Sequence, residues 1–135
     1  MLTGNDTVTI YNYLGEDGTG AAIWKRTILY KVDAIRYDGI QQYVGRALEG
    51  KDHLSLYIHA KLTYGDNEYV PPNKFDIYDN EGLYTLNVNG KDMIMLGESY
   101  SDAPIEGYGT YRILTVQDNR MAKTEMLQHI KAVCA

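Results

Sequence analysis

The stretch HLSLYIHAKL, residues 53–62, decides the class of fold. Leu54, Leu56, Ile58, Ala60 and Leu62 alternate with His53, Ser55, Tyr57, His59 and Lys61. Successive side chains of a strand point to opposite faces, so an apolar period of two predicts a strand with one face in a core and the other wet.

Working outward, the same period recurs. In TVTIYNYL, which starts at Thr7, Val8 and Ile10 face one way while Thr7, Thr9 and Tyr11 face the other. The turn formers GEDGTG, Gly15 to Gly20, separate this strand from a second. That second strand is expected from about Trp24 to Ile35, with Trp24, Ile28, Tyr30, Val32 and Ala34 on one parity. Ile35 to Asp52 reads as irregular structure with strand ends, the alternatives being a continued hairpin or a helical turn around Tyr43 to Leu48. Thr63 to Gly82 is rich in turn formers, and Pro71 and Pro72 lack the N–H that a central strand needs. It reads as a long excursion projecting from the domain, and long loops of this kind are often functional. LYTLNV (83–88) and DMIML (92–96) flank Asn89–Gly90, a dipeptide that favours a hairpin turn. A loop at 98–109 precedes TYRILTVQ (110–117), whose apolar residues lie on both parities, as in a central strand. After the polar turn at 118–125, MLQHIKAV (126–133) reads as the last strand. Short strands with Gly, Asn and Asp turns, and no helix of ten residues, predict an all-β or mainly β chain. The expected architecture is a single domain over residues 1–135, a barrel or sandwich with long loops.

Composition narrows the function. A chain of 135 residues buries roughly two-thirds of its unfolded surface on folding, enough for one core. Its one cysteine, Cys134, has no internal disulfide partner, which fits a reducing compartment. The first ten residues, MLTGNDTVTI, lack a basic flank and an apolar run, so no signal peptide is expected. No apolar stretch approaches the ~20 residues that span a bilayer. A cytoplasmic, soluble protein follows. The net charge of −5, with 13 scattered lysines and arginines, argues against general or sequence-specific nucleic-acid binding. Tyrosine is over-used: 13, against one phenylalanine and one tryptophan. Tyrosine suits strands and is enriched at protein interfaces, and both roles are expected here.

No residue pattern points to chemistry. GEDGTG continues into AAIWK, without the Lys-Ser/Thr and helix of a phosphate loop. DIYDNEG, Asp76 to Gly82, lacks the spacing of a calcium loop and reads as a solvated turn. His53 and His59 share a strand face but lie about 20 Å apart, too far to share a metal ion. His129 meets either only through a fold contact, and all three read as solvated or hydrogen-bonded. Cys134, close to the chain end, is expected in a fraying segment unsuited to catalysis. The expectation is no enzyme, no catalytic residue, no metal and no cofactor.

The order of motifs is more specific than any single one. VTIYNYL, Trp24 to Arg26 leading to Val32, GRALEGKDHLSLYIH, EYVPPNKF, LYTLNVNGKDMIMLGE and the closing pair YRILTVQDNR with MLQHIKAV together resemble a family of small phage and prophage proteins. These come from the structural modules of Gram-positive-bacterial phages, among minor capsid, head–tail connector and tail-completion proteins. Tyr84 stands where that pattern often has tryptophan, Lys91 intervenes between Gly90 and Asp92, and Ile130 replaces an aromatic after His129. The resemblance implies a β-barrel-like subunit of a homo-oligomeric ring at the head–tail junction, partnered by portal and neighbouring connector or tail subunits. It also implies the host cytoplasm during assembly and then the virion, with no membrane. The interface candidates are Tyr64, Tyr69, Tyr78, Tyr100 and Tyr108, in the excursions between strands. The alternative is a small-ligand or carbohydrate-binding β module, since tyrosine-lined faces also stack on sugars. A concave, aromatic-lined pocket with converging polar groups would favour it.

Overall fold

The computed structural model describes residues 5–44, 47–59, 67–105, 109–121 and 128–135, with the backbone alone at 37–44 and 47–52. The strands are β1 (Asp6–Glu16), β2 (Ala22–Val44), β3 (Ala47–His59), β4 (Glu68–Tyr69), β5 (Leu83–Tyr84), β6 (Met93–Leu96), β7 (Thr110–Asp118) and β8 (His129–Cys134). One 3₁₀ turn, Pro72–Lys74, is the only helical element among the described residues. Six strands close into an antiparallel barrel in the order β1-β2-β3-β8-β7-β6, while β4 and β5 form a small parallel pair.

The barrel interior takes the residues that the alternation selects. Leu54, Leu56 and Ile58 of β3, Val8 and Ile10 of β1, Ile94 of β6, Tyr111 and Ile113 of β7, and Ile130, Ala132 and Cys134 of β8 form one buried cluster. β7 pairs with both β6 and β8, a central position as expected, although Leu114 on its other face is 46% exposed. A register shift between Ile113 and Thr115 returns Val116, rather than Thr115, towards the core.

The second strand departs from the expected parity. Among its described side chains the buried ones are Thr27, Leu29, Val32 and Asp33, and Tyr30 is exposed. The spacing of three between Leu29 and Val32 comes from a bulge opposite β1, where Asp6 pairs with Val32 and Val8 with Leu29. Lys31 takes φ 58°, the left-handed conformation that lets one extra residue loop out. The segment expected to be irregular is instead a continued hairpin. β2 runs on to Val44 and pairs with β3 back from Ala47, Val44 opposite Ala47 and Tyr43 opposite Leu48. Its glycines and charges hid a strand period that cross-strand pairing enforces.

Two further expectations are corrected. Asn89–Gly90 does turn the chain, with Asn89 Oδ1 accepting the N–H groups of Lys91 and Asp92 and Gly90 at φ 73°. It does not close a hairpin, because β5 pairs in parallel with β4 and β6 inserts between β1 and β7. Nor does the described part of the 63–82 excursion simply project. Tyr69, Tyr84 and Leu86 are buried in the core cluster, with the Tyr69 and Tyr84 rings 5.8 Å apart edge to face. Burial raises the Tyr84 hydroxyl above the usual tyrosine range. This segment thus caps the barrel end where β1 finishes and β6 begins. Cys134 does not fray: it is fully buried between Leu54 and Ile113, and burial pushes its thiol up to about 12.

Candidate functional site: an aromatic wall beside Trp24

β1 is buried on both faces, Val8 through Asn12 without a break. Val8 and Ile10 enter the barrel, while Thr9 and Tyr11 meet the loop that follows β6. Gly97, at φ 82°, makes the fold-back possible, a conformation that costs glycine little. There its N–H donates to Thr7 O and its carbonyl accepts from Thr9 Oγ1 at 2.8 Å. Ser99 N donates to the same hydroxyl, and the Tyr11 hydroxyl bonds Ser99 Oγ and donates to Ser101 O.

This pinned loop borders an aromatic wall on the outer face of β1 and β2. Trp24 stands edge-on to Tyr13, centroids 5.4 Å apart at 68°, and to Tyr11 at 6.4 Å and 89°. Lys91 Nζ lies 4.3 Å from the Tyr13 ring centre, within cation–π range. A cleft of about 290 Å³ runs between Tyr13, Trp24, Met93, Lys91, Arg112 and Glu16. A second, of about 420 Å³, opens on the far side of Trp24 over Lys25, Arg26 and Asp102. Beyond it, Tyr100 donates to Glu98 Oε2 at 2.6 Å, and Arg26 lies 5.8 Å from the Tyr100 ring centre. The bond to Glu98 raises the Tyr100 hydroxyl above the usual tyrosine range.

A buried polar cluster holds the wall in place. Asp92 accepts Tyr13 N at 2.9 Å, Asn12 Nδ2 at 2.9 Å and Asn89 Nδ2 at 3.1 Å. Asn12 also donates to Thr85 O and accepts Thr85 N. Burial raises the Asp92 carboxyl, and these hydrogen bonds oppose the rise. Asn12 and Asp92 were not singled out by sequence reasoning. The one available signal was a polar residue inside a strand, at Asn12, with Asp92 at the mouth of a turn.

The expected interface tyrosines divide. Tyr78 and Tyr100 are 91% and 69% exposed and accessible. Tyr69 is not an interface residue but part of the core, drawn in by its parallel pairing with Tyr84. Tyr64 and Tyr108 lie outside the described residues. His59 pairs across strands with His129, a meeting the sequence spacing did not predict. His129 Nε2 shares a hydrogen bond with Asn119 Nδ2 at 3.2 Å, a structural role. Among the described residues no three His, Cys, Asp or Glu side chains are grouped to hold a metal ion, and no helix is long and apolar enough to cross a membrane.

These features define a small, closed, antiparallel β-barrel protein with a plugged end and an aromatic outer wall. A family model described as a family of unknown function (DUF6751) matches residues 2–135, and the chain belongs to that family. No curated protein and no solved structure matches it.

Proposed function

We propose that the chain is a virion structural subunit of phages or prophages, acting at the head–tail junction as a connector, stopper or tail-completion subunit and not as an enzyme. The observation that carries this reading is the extension of β2 and β3 past the barrel. β1 pairs with β2 only as far as Val32, and β8 pairs with β3 only from Leu54 to His59. Beyond, Tyr37 to Val44 and Ala47 to His53 pair with each other and, among the described residues, with no other strand. Eight extended residues reach about 26 Å. A two-stranded ribbon is marginal alone in water, and the edges of such a ribbon are where a further strand can add. An arm of this kind supports assembly with neighbouring subunits by strand addition. The whole-chain resemblance to phage structural-module proteins supports the same reading, with portal, connector or tail proteins as partners and a ring of this chain as the assembled form.

The test is co-expression with portal and tail proteins from the same genome, followed by co-purification and electron microscopy. A companion variant replaces residues 38–52 with an Asn-Gly turn joining Tyr37 to His53. The intact chain is expected to co-assemble, and the trimmed one to keep its β circular dichroism but stay apart. A chain that stays monomeric at high concentration and joins neither portal nor tail proteins overturns the proposal. A small-ligand or carbohydrate-binding module is the second reading, favoured by the aromatic cleft beside Trp24.

A further inference from the structure

We infer that the cleft beside Trp24 receives the Ile77–Tyr78 tip of a second copy of this chain. The inference deepens the assembly reading and rests on it. It starts from an exposed aromatic on a rigid turn. Asp76 Oδ1 accepts Tyr78 N at 2.8 Å and Asn80 Nδ2 donates to Asp76 O at 3.1 Å, so the turn is formed before any partner arrives. It holds Tyr78 91% exposed and Ile77 42% exposed. Among the described residues no neighbour covers the Tyr78 ring. The tip is also acidic: from Phe75 to Gly82 the sequence carries Asp76, Asp79 and Glu81 and no cation.

The cleft is the complement in shape and charge. At about 290 Å³ it lies at the lower limit of small-molecule clefts, typically ~300–1,000 Å³, and suits a single anchoring side chain. Its aromatic floor is set in advance by the edge-on Tyr13–Trp24 pair and by Asp92 accepting Tyr13 N. Its rim carries Lys91 and Arg112 against the single carboxylate of Glu16, in a chain of net charge −5. The adjoining cleft adds Lys25 and Arg26 against the single carboxylate of Asp102. A tyrosine ring on that floor would take an edge-on aromatic contact, with the flanking carboxylates beside the rim cations. Tip and cleft are different patches of one surface, so a contact made one way, without its reciprocal, is heterologous and propagates around a ring or along a filament.

The test is analytical ultracentrifugation of the full chain, alongside the fluorescence of Trp24, the sole tryptophan, over a concentration series. Self-association is expected to shift Trp24 emission and to weaken with salt. Tyr78→Ser and Lys91→Glu should each weaken it about tenfold or more while leaving the circular dichroism unchanged, since both side chains are exposed. Combining Lys91→Glu with Asp79→Lys in one chain should recover part of the loss. Self-association untouched by Tyr78→Ser and Lys91→Glu overturns this inference and leaves the assembly proposal standing. Absence of self-association together with absence of co-assembly overturns both. Oligosaccharide-induced shifts of Trp24 emission in a chain that does not self-associate overturn it in favour of the small-ligand reading.

Discussion

Truncating Asn12 to alanine should remove the tie between the barrel and its cap. Asn12 is 1% exposed and makes three hydrogen bonds, to Thr85 O at 2.7 Å, from Thr85 N at 3.2 Å and to Asp92 Oδ2 at 2.9 Å. Alanine leaves a buried N–H, a buried carbonyl and one carboxylate oxygen each short of a partner. Each such orphan costs about 1–3 kcal/mol, and water entering the vacated space offsets part of it. Taking the lower end for each gives a loss of about 3 kcal/mol, a large share of the ~5–15 kcal/mol typical of a domain. Urea unfolding followed by Trp24 fluorescence measures it, and the midpoint should fall with little change in slope. Asn12→Asp sharpens the result. The isostere keeps an acceptor for Thr85 N but sets a second carboxyl against Asp92, so its deficit should shrink as the pH is lowered. A loss below about 1 kcal/mol for Asn12→Ala, within the range of an ordinary surface change, would refute the idea that this cluster holds the cap.

Three further outcomes follow from the structure. Burial raises the Asp92 carboxyl in the folded chain, so its contribution is fully present below the ordinary carboxylate pKa of about 3.9 and is lost as pH rises through the folded value. Urea midpoints from pH 3 to 7 should show that decline, and Asp92→Asn should lack it even though it is less stable at low pH. Lys31 sits at φ 58°, so Lys31→Gly should be neutral or stabilising by up to about 1 kcal/mol, whereas Lys31→Val should be destabilising. Thermal melts of the two variants decide this. The Cys134 thiol, buried and pushed up to about 12, should resist iodoacetamide at pH 8 in the native chain and react at once in urea, as mass spectrometry would show.

Strand identity was legible wherever a core face alternates with a wet one. HLSLYIHAKL and TVTIYNYL show this, because side-chain direction in an extended chain depends on parity alone. Parity fails as a guide at bulges, which shift it by one, and the bulge at Lys31 exchanged the inside and outside of half of β2. Local turn chemistry was read correctly as well: Asp17 Oδ1 accepts Thr19 N and Ala21 N in the turn between β1 and β2. Partnership was not legible, since the Asn-Gly turn that suggested a hairpin joins strands of two different sheets.

The candidate site shows the same division. Exposure of Tyr78 and Tyr100 agrees with their loop context, but burial of Tyr69 depends on Tyr84, fifteen positions away, arriving beside it in parallel. Trp24 shared a parity with Ile28 and Val32 in the sequence, and became the floor of an outer cleft because Tyr13, Met93 and Arg112 come from three other strands. By itself, the sequence determined the all-β class, the turns and the acidic, tyrosine-rich composition, since these depend on the residues themselves and on neighbours a few bonds away. Barrel closure, the plugged end, the projecting β2–β3 arm and the Trp24 cleft were decided only by tertiary structure. Each depends on which strands lie side by side, and that choice is made by long-range packing that no local period encodes.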